Sequence, residues 1–492
     1  MAVVNVVPVP LRTVIKTGSF TLPEGSIMPY VTKKIDKNIL GEETYILEVT
    51  GQGVTVGAST DCGLFRGWQT IKQLVNTAEG GELPCMKIED RPRFAFRGFM
   101  IDSARHMQTL DELKTMIDAA ALFKFNVFHW HLSDDQGFRM EIEKYPRLME
   151  VGSVRASSDF GNRHVNEPYG GYYTKEDMRE VVRYCAQRYI DVIPEMDMPG
   201  HTTAMLASYP ALSCSGEELP LRTTGGIFPE ILCAGKDETF AFIEGVLDEV
   251  MEVFPSRYIH IGGDEAPKTN WRKCPACQAR MVEEGLRDEE ELQGYFANRV
   301  QDYLRAHGRT AVCWNESLKS GMLENDMIAQ MWMDKEGLSA DWANSGGKVI
   351  VSDFFHYYTD YPYAMTSLSK TYSYEPVVKG IEPAAEENVL GVSACIWTEY
   401  VETLEKMAYM TFPRFAAVAE TGWSYAALKD RPDFLQRMRA LVPLLKKMGV
   451  TPAPVAEWNP HPAKKAKNMV AFFTENINGD MVRAFIRSKK EV

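Results

Sequence analysis

"RGFMIDS" (97–103), "LDELKTMIDAAALFKF" (110–125) and "NVFHWHLS" (126–133) follow one another along the chain. The outer two are short, apolar and rich in strand-forming residues, and each runs into polar side chains at its end. The middle one repeats Leu110, Leu113, Ile117 and Ala120 at i, i+3, i+7 and i+10, the period of a helix with one apolar face. Strands buried on both faces read as continuous apolar runs, so the stretch predicts a β–α–β unit with parallel strands. Six more runs of the same kind follow: "DVIPEMD" (191–197), "YIHIGGDE" (258–265), "TAVCWNE" (310–316), "MIAQMW" (327–332), "KVIVSD" (348–353) and "VLGVSACIW" (389–397). Most are separated by stretches of helical periodicity. Eight alternating units over residues 93–425 fit a (β/α)8 TIM barrel, within its usual range of about 200 to over 400 residues. A doubly wound open sheet is the alternative. It lacks support from any G-x-G-x-x-G, P-loop or G-x-S-x-G element.

The flanks have a different texture. Residues 1–92 carry short alternating segments, "YILEV" (45–49) and "GVTVGAS" (53–59), then a helical "GLFRGWQTIKQLV" (63–75). This reads as a small α+β domain preceding the barrel, closing near "IEDRPRF" (88–94). Residues 426–492 read as a C-terminal helical extension, with the amphipathic "DFLQRMRALVPLLKKMG" (433–449) and a solvated capping tail bearing Lys464, Lys465 and Lys467.

The 492 residues suffice for more than one domain, and 45% hydrophobic with 25% charged residues is ordinary for a globular protein. A net charge of −13 argues against nucleic acid or an anionic membrane as the main partner. No apolar run approaches the ~18 residues of a membrane-spanning helix. The N-terminus shows no charged n-region or long h-region. A secreted or periplasmic destination, with the signal peptide absent from this chain, is the expectation, and a cytoplasmic one the alternative. Nine cysteines are scattered. Cys274 and Cys277 form "CPAC", which can be half of a zinc site, but no second CxxC or CxxH follows at a workable spacing. The expectation is therefore free thiols or a local disulfide, and a bridge between Cys214 and Cys233 would suit an oxidising compartment.

In a (β/α)8 barrel, catalytic groups sit at the C-terminal strand ends. Here the ends supply Asp102 and Arg105; His129, His131, Asp134 and Asp135; Glu195, Asp197 and His201; Asp264 and Glu265. The later strands add Trp314 and Glu316, Trp332, Asp353 with Tyr358 and Asp360, and Trp397 with Glu399. Any one of these could be a satisfied core polar group; eight strands ending alike point to a site. Tryptophans, acids and an arginine suit a sugar, whose ring faces stack on indoles and whose hydroxyls take charged partners. Two carboxylates then suggest glycoside hydrolysis. A metal-dependent amidohydrolase is the rival, because "HWH" resembles the His-x-His pair of such barrels. It lacks a further histidine pair on the first strand.

At these motifs the sequence resembles glycoside hydrolase family 20, the β-N-acetylhexosaminidases. The motifs are "RGFMIDSARH", "NVFHWHLSDDQGFR", "PEMDMPGH", "HIGGDEAP", "GVSACIWTEY" and "FPRFAAVAETGWS". The resemblance implies a retaining exo-hydrolase removing terminal β-GlcNAc or β-GalNAc from glycans without metal or other cofactor; release of a disaccharide such as lacto-N-biose is the alternative within the family. It implies Glu265 as general acid and Asp264 as the group orienting the substrate's own 2-acetamido nucleophile. Asp134 and His201 match a relay that tunes the acid. Trp314, Trp332 and Trp397 match residues around the acetamido methyl, and Tyr358 the donor to its carbonyl oxygen. Arg105 and Glu399 match residues holding the 3- and 4-hydroxyls, and Asp360 one nearer the 6-hydroxyl. Two departures stand out: Ser393 in "GVSACIW" replaces a more usual Gly or Glu, and Tyr357 competes with Tyr358. On electrostatic grounds Glu265 should keep a proton beside an ionised Asp264. A monomer and a homodimer both remain open.

Overall fold

A computed structural model describes residues 4–476. The N-terminal part is a five-stranded sheet in the spatial order Arg12–Thr21, Glu82–Asp90, Tyr45–Thr50, Gly53–Ala58 and Val31–Ile35. Tyr45, Leu47 and Val49 are buried at every second position, as a strand with one covered face requires. The cover is helix Asp61–Asn76, opened by Thr60, whose side chain accepts the Gly63 N–H.

The eight expected runs all become strands and close into one parallel barrel: Phe96–Asp102, Val127–His131, Asp191–Glu195, Tyr258–His260, Thr310–Trp314, Ile328–Met331, Lys348–Val351 and Val389–Ile396. Helix Leu110–Leu122 joins the first two. A capping box between Thr109 and Glu112 starts it, and Leu113, Ile117 and Ala120 are buried beneath it. Phe96, Val127, Ile193, Val312, Ile328 and Ile350 form a separate apolar cluster near the strand starts, which plugs the lower end of the barrel. A second cluster of Met100, Trp314, Trp332, Tyr358 and Cys395 lies toward the strand ends.

Three expectations change. The fourth strand stops at His260 rather than reaching residue 265, because Gly262 and Gly263 turn out of the sheet at φ +68° and +103°. A Cβ on Gly262 would lie 1.7 Å from Asp197 Oδ1, and one on Gly263 would lie 2.4 Å from Ser317 Oγ. Only glycine permits this path.

Cys214 and Cys233 form no disulfide, and every cysteine among the described residues is free. The two belong to a wider group with Cys274 and Cys277. Tertiary folding, not sequence spacing, brings these residues together.

The tail of the C-terminal extension is more than a solvated cap, while the amphipathic helix before it forms as expected. Helix Arg431–Lys447 buries Phe434, Met438, Leu441 and Leu445. In helix Pro462–Asn476, the ring of Phe472 lies 5.8 Å from both Tyr361 and Tyr400. Residues 477–492 of the extension lie outside the described residues.

The two domains share a buried polar seam. Lys124 Nζ donates to Asp90 Oδ2 and to Tyr45 Oη, each at 2.9 Å. The indole of Trp423, at the end of a barrel helix, donates to Asp90 Oδ1 at 2.9 Å.

Candidate active site

Glu195, at the end of the third strand, organises the floor of the site. Its carboxylate meets His129 Nε2 at 2.9 Å, His131 Nδ1 at 2.5 Å, His260 Nδ1 at 3.0 Å and the Trp314 indole N–H at 2.8 Å. The two histidines of "HWH" share one face, as alternation requires, and they spend it on a carboxylate.

From His131 a chain of polar contacts climbs to the acid pair. His131 Nε2 lies 2.9 Å from Asp134 Oδ2, and His201 Nδ1 lies 3.3 Å from Asp134 Oδ1 and 3.1 Å from Asp135 Oδ2. His201 Nε2 then faces Glu265 Oε2 at 3.4 Å and Asp264 Oδ2 at 4.0 Å. Burial alone would lower the pKa of His201, but the carboxylates of Asp134 and Asp135 with Glu265 raise it well above the usual imidazole value. Burial opposes ionisation of Asp134 too, yet Arg105 and His201 hold its pKa far below the usual range. Asp135, adjacent to the expected Asp134, is the nearer partner of His201. His201 and Glu265 both hold positive φ, +53° and +45°. Such strain in non-glycine residues collects at functional sites.

Of the acid pair, the expectation of an ionised Asp264 meets opposition from burial. Asp264 is the carboxyl pushed up, to about 7, first by burial and then by Glu265 and Glu195 acting against His201. The Asp264 side chain is only 12% exposed, and such depth opposes the charged form of a carboxyl. Glu316, whose role the strand-end pattern left open, accepts the Glu265 backbone N–H at 3.0 Å.

The aromatic wall resolves the tyrosine ambiguity. The Tyr358 ring lies 6.1 Å from those of both Trp332 and Trp397, while Tyr357 packs on Tyr374 at 5.2 Å in the outer core. Trp314 completes the wall, 6.0 Å from Trp397. Asp353 instead caps the helix Phe354–Tyr357. Opposite stands Arg105. Its Nη2 lies 2.8 Å from Asp134 Oδ2 and 3.7 Å from Glu399 Oε1, and its guanidinium carbon lies 5.1 Å from the Trp397 ring centre. Gln136 accepts the Arg105 Nε–H at 2.8 Å; sequence reading passed over it, though "SDDQGF" contains it. Burial and the charge of Glu399 push the Asp360 carboxyl well up. Ser393 packs against Gly98, whose added Cβ would sit 2.8 Å from the Ser393 Oγ.

Buried polar atoms around this space without a partner in the protein include Asp264 Oδ1, Asp360 Oδ1, Trp332 Nε1 and Trp397 Nε1. Leaving a buried polar group unsatisfied costs about 1–3 kcal/mol, which a ligand with matching hydroxyl and amide groups would recover.

A closed barrel with acids, an arginine and an aromatic wall at its strand ends has the architecture of a glycoside hydrolase. The chain belongs to glycosyl hydrolase family 20: the model of its catalytic domain matches residues 94–426, and that of its domain 2 matches residues 24–91. A "Beta-hexosaminidase" of Porphyromonas gingivalis is 40% identical over 419 residues, which is 81% of this chain. The chain spans about half of that relative's length, 53%. A solved structure described as a beta-N-acetylhexosaminidase superposes with TM-score 0.85 at 32% identity, covering 91% of this chain and 96% of that one. The exo beta-N-acetylglucosaminidase of Vibrio harveyi, solved in complex with N-acetylglucosamine, gives 0.81 at 30% identity, covering 92% and 78%.

Proposed function

We infer that the protein is a retaining exo-β-N-acetylhexosaminidase that removes terminal β-GlcNAc or β-GalNAc from glycans with help from the substrate's own acetamido group. The observation that carries this reading is the set of unpartnered polar atoms, Asp264 Oδ1 and Trp332 Nε1 among them, bordering the Trp314–Trp332–Trp397–Tyr358 wall. An acetamido group offers what such a pocket lacks: an N–H for Asp264, a carbonyl for a donor such as Tyr358, and a methyl for the indoles. Family 20 is a recognised exception to the two-carboxylate scheme of glycoside hydrolysis.

In the first step the acetamido carbonyl oxygen forms a bond to the anomeric carbon, and the bond from that carbon to the leaving oxygen breaks. Glu265 passes its proton to that oxygen. Asp264, as the anion, accepts the acetamido N–H and stabilises the positive oxazolinium. A cation there offsets the burial that raises the Asp264 pKa, so the carboxylate is favoured as charge develops. In the second step water attacks the same carbon while Glu265 takes its proton back, and the configuration is retained. His201, held between the Asp134/Asp135 pair and Glu265, sets the position and polarity of the acid. Arg105 and Glu399 would take ring hydroxyls, with Asp360 nearer the 6-hydroxyl.

The test is hydrolysis of a chromogenic β-GlcNAc glycoside, with the anomer of the first-formed sugar followed by NMR. Release of the β-anomer and inhibition by a thiazoline mimic of the oxazolinium are expected. No turnover anywhere between about pH 4 and 8, the range in which such acids titrate, would sink the proposal. Activity on disaccharide-releasing substrates alone would move the chain to lacto-N-biosidase chemistry.

A further inference from the structure

Four cysteines from three separate segments converge beside the site. Cys214 and Cys233 bracket the loop after the third barrel strand, and Cys274 and Cys277 close the loop that carries Asp264 and Glu265. One sulfur from each lies within 4.8 Å of all the others. The separations are 3.9 Å for Cys214–Cys277, 3.7 Å for Cys233–Cys274 and 3.5 Å for Cys233–Cys277. A disulfide would require ~2.05 Å. Four thiolates at ~2.3 Å around one tetrahedral ion stand ~3.8 Å apart along the edges of the tetrahedron. The observed spacings bracket that value.

The backbone is built to bring them together. The Gly235 N–H donates to Cys233 Sγ, and a Cβ on Gly235 would lie 2.2 Å from the carbonyl carbon of Ala276. Lys236 Nζ donates to Ala211 O and Ser213 O, at 2.8 and 2.6 Å, beside Cys214. Cys233, Cys274 and Cys277 are buried and Cys214 is partly so. Among the described residues, the other five cysteines join no such group.

We propose that Cys214, Cys233, Cys274 and Cys277 bind one zinc ion as four thiolates, in a closed structural site that ties the loops after the third and fourth barrel strands together. Four soft ligands in a tetrahedron select zinc or iron among common metals. Full coordination leaves no open position for chemistry. Binding releases four thiol protons and changes no oxidation state.

The tie bears on the substrate pocket. Within the 214–233 loop the Arg222 N–H donates to Asp135 O at 3.2 Å, and Thr224 O accepts from Gln136 Nε2 at 2.8 Å; Gln136 in turn holds Arg105. The Leu232 N–H donates to Pro199 O at 3.0 Å, and Trp271 of the acid-bearing loop donates to Leu232 O at 2.9 Å.

Metal analysis of the protein purified under reducing conditions without added metal is the direct test. One zinc per chain is expected, retained in Glu265→Gln and lost in Cys277→Ser. Zinc removal should lower Tm and speed proteolysis within 214–233. Should Cys277→Ser not fold, Cys214→Ser at the partly exposed ligand gives the same reading. Metal-free wild type titrated with cobalt should show thiolate-to-cobalt charge transfer and be displaced by zinc. No uptake of zinc or cobalt by the reduced protein, native disulfides among these cysteines, or iron that zinc fails to displace would each overturn the proposal.

Discussion

The protein buries charge in two places, and treats it differently in each. At the seam between the domains, Lys124, Asp90, Tyr45 and Trp423 satisfy one another within 2.6–2.9 Å. Around the barrel mouth, Asp264, Asp360 and Trp332 each leave a buried polar atom without a partner. Lys124 and Glu265 even share a strained positive φ, +65° and +45°, so strain alone does not separate structure from function. What differs between these two networks is how fully they are paired. A closed network holds parts together, whereas an open one waits for a ligand to complete it.

The comparison can be broken by substitutions on each side. Glu265→Gln should lower kcat toward substrates with poor leaving groups by roughly 10²–10⁴-fold, and activated aryl glycosides much less. Equal losses on both would remove Glu265 from the acid role. At the seam, Lys124→Met should cost about 3–5 kcal/mol of stability by stranding a buried carboxylate. Urea unfolding reads that loss, and kcat of the folded fraction should hold.

Asp264→Asn should reduce kcat by about 10²–10³-fold, the scale of one lost preorganised electrostatic group, and weaken thiazoline inhibition. It should also raise Tm, because the folded pKa of Asp264 is about 7. A carboxyl raised on folding stays protonated in the folded state while the unfolded chain ionises. Stability is therefore lost as pH climbs from the usual aspartate value through about 7. The gain in Tm should accordingly be larger at pH 8 than at pH 5, and a gain that ignores pH would contradict burial as the cause. Tyr358→Phe, removing one neutral donor, should cost about 1 kcal/mol, or ~5-fold in kcat/KM, with Tyr357→Phe leaving kcat/KM unchanged.

Much of this contrast was already present in local sequence. Eight apolar runs ending in polar residues follow from strand burial alone, and all eight became barrel strands. The polar residues at their ends were legible as a group. Their partners were less so. Asp135 beside Asp134, Gln136 behind Arg105 and Glu316 beneath Glu265 are visible as residue types, but only proximity ranks them. The helix Pro462–Asn476 reads as a tail because nothing within it records that Tyr361 and Tyr400 will meet Phe472.

The sequence by itself determined the alternation of strands and helices, the place of the acid pair after two glycines, and the family to which its motifs belong. These depend on neighbours a few residues apart. Tertiary structure decided which tyrosine enters the pocket, that burial raises the Asp264 carboxyl, and that cysteines up to 63 positions apart share one point. Depth and convergence arise only when the barrel closes, so no local pattern can carry them.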